Sequence, residues 1–240
     1  MPPTASDLDR LIPPEIVDDP FHRCIERVAA TPGVRHILEI GASSGAGSTE
    51  ALVAGALRND PVPTIHCLEV SIPRFYALVE RHGGRSFVRC YNRSSVPTGS
   101  FPDEAEVDAF RRRVWTRFRF IRRATVMGWL RQDLEYLATH GLSGEGIREV
   151  REEAGIDGFD VVLIDGSEFT GTAEMEDVYG ARFLLLDDVR TFKNHDNDRR
   201  LAKDPAYRLV ERGRRPRNGW AVYERVAGGR AAASVAGVRP

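Results

Sequence analysis

The sequence predicts an α/β protein: a mostly parallel seven-stranded sheet, ending in an antiparallel hairpin, with a helical insertion between the third and fourth strands. Three observations predict it. Apolar runs recur along the chain with helix-patterned segments between them, as the right-handed crossovers of a parallel sheet require. Those runs are nearly unbroken in Val, Ile and Leu, as in strands buried on both faces. Near the end, runs at 207–211 and 220–226 flank Pro216-Arg217-Asn218-Gly219, a turn signal that predicts a hairpin.

Taken in order, residues 1–32 predict one helix over about 15–30, placed as a cap on a ligand cleft. A strand at 37–40 leads through small residues to a helix at 48–57. The second strand spans 64–70, and the helix at 73–81 begins with Pro73, a residue tolerated in a first turn. The third strand covers 86–91. In the insertion, 94–158, Val107, Phe110, Val114, Phe118 and Ile121 recur at helical spacing, as do Met127, Leu130, Leu134 and Leu137 in a second helix. The first helix also carries Arg111, Arg112, Arg113, Arg117, Arg119, Arg122 and Arg123. Those arginines form a solvated face with stems over apolar surface, or send one or two into the cleft to hold a phosphate or carboxylate. Strands at 159–164 and 182–186 follow, then a short helix near 198–203 and the hairpin. Residues 227–240 read as a frayed tail, outside the main domain at 33–226.

A length of 240 residues suits one such domain with elaborations, and 42% hydrophobic residues suffice for a sizeable core. Lys and Arg total 34 against 35 Asp and Glu, so no global field recruits nucleic acid or an anionic membrane. Cys24, Cys67 and Cys90 never form CxxC and read as reduced thiols. The first twenty residues lack the apolar core of a signal peptide, and no run approaches a membrane span. A cytoplasmic location is therefore expected.

The most informative stretch is Arg35-His36-Ile37-Leu38-Glu39-Ile40-Gly41-Ala42-Ser43-Ser44-Gly45-Ala46-Gly47-Ser48. It sets backbone N–H groups and a helix start at the carboxyl end of a strand, where α/β sheets bind nucleotide-like ligands. A dinucleotide GxGxxG fails in both registers: from Gly41 it meets Ser43 and Ala46, and from Gly45 it meets Glu50. The pattern resembles motif I of the class I S-adenosylmethionine (SAM)-dependent methyltransferases, closest to the Leu-Glu-Ile-Gly-Ala form of small-molecule O-methyltransferases. The resemblance covers about residues 33–226 and implies a Rossmann-like fold. It implies that Gly41, Ala42, Ser43, Gly45 and Ser48 pack on the methionine part of SAM and that Glu39 helps hold its ammonium. Glu69, ending the second strand, is placed to accept hydrogen bonds from a ribose diol. Asn92 and Ser94, after the third strand, stand where the family places polar residues near adenine.

Neighbouring strand ends deliver Asp165, Asp187 and Asp188 to the same edge. Three carboxylates gathered there repel unless protonated or neutralised by a cation. Hard oxygen ligands suit Mg²⁺, or Mn²⁺. The set resembles the ligands of cation-dependent O-methyltransferases, and also the macrocin-type sugar O-methyltransferases and the cephalosporin-hydroxylase-like group. Carried over, Asp165, Asp187 and Asp188 become metal ligands, with Asp165 also beside the cofactor. Catechol-type enzymes carry a lysine base three residues after the first aspartate; Glu168 stands there in this chain. Lys193 and His195 are then the candidate catalytic bases, with His22 behind them.

The expected activity is methyl transfer from SAM to a hydroxyl of a small-molecule acceptor, anionic if the insertion's arginines reach it, with a divalent ion assisting. Two alternatives share the fold: a non-catalytic SAM-binding module, and a metal-dependent, oxygenase-like enzyme. Iron oxygenases want histidines beside a carboxylate, and none is paired at these strand ends. Assembly as a homo-oligomer is compatible with the chain; a membrane or nucleic-acid partner is not expected.

Overall fold

The computed structural model describes residues 7–215 and 217–226. The predicted tail at 227–240 lies outside the described residues. Seven strands form one sheet: β1 (His36–Ile40), β2 (Thr64–Leu68), β3 (Val88–Tyr91), β4 (Val161–Ile164), β5 (Phe183–Asp187), β6 (Tyr207–Gly213) and β7 (Trp220–Arg225). Their order is β3-β2-β1-β4-β5-β7-β6. The first five are parallel, with Glu39 level with Cys67 and Leu163, while β7 runs antiparallel between β5 and β6. This is the predicted sheet. Strand order reverses about β1, so the connections leaving β1 and β4 part to opposite faces and open a crevice at the carboxyl ends of these paired strands.

Alternate residues of each strand feed two cores, as the period of a strand dictates. Ile37, Ile65, Leu163, Leu185 and Val222 pack on one face against α1 (Pro20–Ala29), α2 (Ser48–Ala56) and α3 (Ile72–His82). Leu38, Ile40, Val162, Ile164, Leu186 and Tyr223 pack on the other against α6 (Gly146–Ala154), α7 (Gly171–Val178) and α8 (His195–Leu201). Fully buried Phe21 and Trp220 stack at 4.9 Å, a pairing that adds about 0.5–1.5 kcal/mol beyond area burial.

The N-terminal prediction is corrected in a way that matters. The helix is shorter than 15–30: Asp19 caps it through the His22 amide and Pro20 opens it. It packs on α2 through Gly55, where a Cβ would lie 2.2 Å from the Glu26 carbonyl, so α1 supports the sheet. The cleft is covered instead by the preceding segment, a 3-10 turn at Asp7–Asp9 and the irregular chain after it, which contributes Leu8 and residues 12–16 to its wall.

The insertion's apolar positions form a third core of Val107, Phe110, Val114, Phe118, Val126, Met127 and Leu130, joined by Phe169. Its first helix does not run through Ile121 as the spacing predicts. Helix α4 (Glu104–Arg113), opened by an Asp103/Glu106 capping box, stops at Val114, whose backbone is extended. Val114-Trp115-Thr116 is β-branched and aromatic, poor helix material. A 3-10 turn at Arg117–Phe120 then returns Phe118 edge-on to Phe110, 6.0 Å between rings. Helix α5 (Arg123–His140) follows. Helices α6 and α7 were not predicted. Each begins on a glycine with no side-chain cap; α6 follows Glu145, which is no start signal, and Thr170 before α7 turns its hydroxyl to Glu174 instead of capping the helix.

Candidate active site

A cleft of about 420 Å³ opens at the carboxyl ends of β1, β2, β4 and β5, within the range of small-molecule sites. One side is built by the loop after β1. Gly41 has φ 86° and a Cβ there would lie 2.3 Å from the Asp165 carbonyl, so only glycine lets the two strand ends close together. Ala42, Ser43, Ser44, Ala46, Gly47 and Ser48 continue the wall, and α2 starts there without a side-chain cap. Its first amides are thus left for a ligand. Buried Ser43 Oγ has no partner and lies on this wall. Glu69 lines the same end, its carboxylate receiving the Ser43 and Ser71 amides, each at 2.7 Å. Burial raises the Glu69 pKa, opposed by those N–H bonds and Arg74.

Three predicted cofactor residues stand behind this wall. Glu39 is fully buried; its oxygens accept Ser48 Oγ at 2.5 Å and Thr49 Oγ1 at 2.7 Å, with Cys67 Sγ at 3.4 Å. It fastens the strand to the start of α2, behind the residues that line the cleft. The Gly45 carbonyl pairs with His82 Nε2 at 2.8 Å. Asn92 Nδ2 donates to the Glu69 and Val70 carbonyls, shaping the turn after β2. Gly45 and Asn92, too, are absent from the cleft wall. Ser94 does line the cleft, though its hydroxyl is turned to the Val96 carbonyl at 2.6 Å.

The other side is the acidic edge. Asp165, Asp187 and Asp188 each place one oxygen within 4.8 Å of the others. Asp188 reaches this position with φ 55°, a conformation aspartate tolerates better than most residues. The predicted base Lys193 lies among them, its Nζ 2.8 Å from Asp165 Oδ1 and 3.1 Å from Asp188 Oδ2. Burial opposes its charge, but Asp165, Asp188, Asp187 and Glu168 hold its pKa well above that of an ordinary lysine. Paired in this way with two carboxylates, Lys193 is held as an ammonium. Arg217, from the β6–β7 turn, answers Asp187 through Nε at 3.0 Å, and Asn218 Nδ2 donates to Asp188 at 2.9 Å. Burial and the two neighbouring carboxylates push Asp187 up to about 8; burial also raises Asp165 to about 6 against the pull of Lys193. Burial works the same way on Asp188, yet Lys193 and Asn218 keep it below the usual carboxylate range.

Two cations of the chain already pair with these three carboxylates, so the set as it stands does not fit a divalent ion unless it displaces them. Among the described residues no histidine joins the cluster, which also disfavours an oxygenase-like centre. The other predicted base, His195, faces away: Nδ1 contacts Asp196 at 2.8 Å and its ring meets Phe110 edge-on. Neither His195 nor His22 lines the cleft.

Sequence reasoning undervalued Glu168 and missed Asn194. Glu168 lines the cleft beside Lys193, and burial raises its pKa to about 7. Its Oε1 accepts the Phe192 amide at 2.7 Å and the Lys193 amide at 3.3 Å. Asn194 Nδ2 bridges the Ile164 and Asp187 carbonyls, at 3.1 and 2.7 Å, tying β4 to β5. The insertion contributes Phe101, Trp129, Gln132 and Asp133 to the wall. Its arginines go elsewhere: Arg113 to Asp196, Arg123 to Asp108 and Glu104, Arg131 to Glu104, and Arg119 onto Trp115. Among the insertion's arginines whose side chains are described, none lines the cleft, so an anionic acceptor held by them finds no support. Asp133, hydrogen-bonded by Ser167 Oγ at 2.6 Å, is raised to about 6 by burial.

No family model matches the chain, and neither does any curated protein sequence. Solved structures do. The O-methyltransferase from Bacillus cereus in complex with SAH superposes with TM-score 0.53 at 16% identity, covering 89% of this chain and 84% of that one. The fold is that of the class I methyltransferases. Two further neighbours on the methyltransferase fold are more distant. A methyltransferase from Geobacter sulfurreducens has TM-score 0.48 and 12% identity over 88% of this chain and 81% of its own. The O-methyltransferase of tomaymycin synthesis from Streptomyces achromogenes, in complex with SAM, has TM-score 0.49 and 15% identity over 87% and 81%.

Proposed function

We propose that this chain is a SAM-dependent methyltransferase acting on a hydroxyl of a small-molecule acceptor. The observation that carries the reading is the joining of two half-sites in one cleft of a methyltransferase fold. The Gly41 loop, the uncapped start of α2 and Glu69 suit a ligand with an amino-acid end and a ribose. Glu168, Lys193 and Asp165 stand across the cleft beside aromatic walls that suit an acceptor ring or chain. The fit of SAM rests on the unpartnered Ser43 Oγ, the free first-turn amides of α2 and the close approach at Gly41.

Bound SAM would supply an electrophilic methyl carbon, whose bond to sulfur breaks as the acceptor oxygen's electron pair forms the new one. The protein's part is alignment and proton handling. Glu168 takes the acceptor proton: it lies in the cleft, and a carboxyl raised to about 7 is half ionised near neutral pH. Lys193 faces the developing oxygen charge as a fixed ammonium. Trp129 and Phe101, from the insertion, and the segment through Ile16 shield the cleft from water.

Calorimetric titration with SAM, SAH and NAD tests the reading. SAM and SAH are expected to bind with one-to-one stoichiometry and NAD not at all; heat from NAD alone would end the proposal. Incubation of the full chain with radiolabelled SAM and a panel of phenolic and sugar acceptors then reports transfer.

A further inference from the structure

We infer that the Lys193 ammonium occupies the position a divalent cation would take at the β4–β5 edge, so that this chain holds its acceptor oxygen with a built-in cation and needs no metal ion. The inference rests on the methyltransferase reading for its purpose, but its geometry stands alone. Three carboxylate oxygens converge within 4.8 Å, as they would around a shared ion. Lys193 takes two of those carboxylates, at 2.8 and 3.1 Å, and Arg217 takes the third. A dication added there would compete with an ammonium for the same two oxygens.

Nor is Lys193 a passing surface residue that swings aside. Its side chain is 7% exposed. The backbone beneath it is fixed on three sides: Glu168 accepts its amide, Asn194 binds both strand ends, and a Cβ at Gly171 would lie 2.0 Å from its carbonyl. The first residue of α7 must therefore be glycine for the lysine to sit where it does. An ammonium has three donors. Asp165 and Asp188 engage two, and Lys193 lines the cleft, so the third is left for an acceptor oxygen. A lysine also differs from a metal in what it cannot do: it does not chelate two acceptor oxygens, so the acceptor class is a molecule with one reacting hydroxyl and no need of a vicinal partner.

Titration of the full-length protein with Mn²⁺, followed by electron paramagnetic resonance, reads the inference without any methyl transfer. The wild type is expected to leave Mn²⁺ free at millimolar concentration. Lys193→Gln and Lys193→Ala should each gain a single site at least tenfold tighter, and adding Asp165→Asn should abolish it. In the wild type, SAM binding and transfer should be unchanged by EDTA. One tight Mn²⁺ per wild-type chain, lost with Asp165→Asn, would overturn the inference. So would folded Lys193 variants, checked by circular dichroism, that gain no site. Should both variants unfold, the wild-type titration alone decides. Absence of SAM binding would instead overturn the methyltransferase reading, leaving the Mn²⁺ result to stand separately.

Discussion

The two edges of the cleft bury carboxylates in opposite ways. At the β1–β2 edge, Glu39 and Glu69 are met by neutral donors: two hydroxyls for one, two backbone amides for the other. At the β4–β5 edge, Asp165, Asp187 and Asp188 are met by Lys193 and Arg217. Neutral donors satisfy a carboxylate without changing the charge of the site, and they lock a loop. Charged partners set a field across a buried space, where the low local dielectric strengthens it. The first edge is locked by neutral hydrogen bonds, and the second carries paired charge.

The strongest way to sharpen that contrast is Glu168→Gln. Loss of the base is expected to lower kcat by about 10²–10⁴-fold, while SAM affinity stays as in the wild type. The wild-type kcat/KM should rise with pH through about 7, because the base acts as its carboxylate, and that rise should vanish in the variant. A variant with a normal pH profile would remove Glu168 from the chemistry. Gly41→Ala should act on the other edge, lowering SAM affinity roughly 100-fold, because the new Cβ meets the Asp165 carbonyl. Unchanged affinity by calorimetry would break the link between loop shape and binding.

A smaller effect is expected in stability. Asp133 holds its proton more tightly folded, at about 6, than an ordinary aspartate at 3.8. A raised carboxyl pKa means that the folded chain binds more protons, so stability falls as pH climbs from about 4 through about 6. Asp133→Asn should therefore stabilise the protein at pH 8 by about 1–2 kcal/mol, seen as a rise of several degrees in Tm, and do nothing at pH 3. The smallest effect belongs to Glu39→Gln, whose neutral partners survive the change: SAM affinity should move less than about threefold. A tenfold loss would show that Glu39 meets the ligand after all.

The sheet was legible because Val161-Val162-Leu163-Ile164 and Phe183-Leu184-Leu185-Leu186 are buried on both faces and read as unbroken apolar runs. Their acidic ends were legible for the same reason: an aspartate just past such a run has only the strand's mouth to occupy. What occupies the space between the aspartates was not. Lys193 follows Asp165 by 28 residues, and its placement depends on Asn194, Glu168 and Gly171, none of which marks a lysine in sequence. The hydroxyls that Glu39 accepts, on Ser48 and Thr49, were not legible as its partners because they look like an ordinary helix start. The arginines of α4 and the turn after it suggested an acceptor site only because their carboxylate partners, Glu104, Asp108 and Asp196, are found by folding.

Arg217 reaches across more of the molecule than any of these. Besides Asp187 it binds Asp19 at 2.7 Å and the Glu15 carbonyl at 3.1 Å, while Ser71 and Arg74 hold the carbonyls of Leu8 and Arg10. The segment that walls the cleft is thus clipped at both ends, and one clip shares its guanidinium with the acidic edge. Arg217 thus ties the placement of the segment that walls the cleft to the charge balance of the acidic edge, so Arg217→Ala is expected to loosen both together.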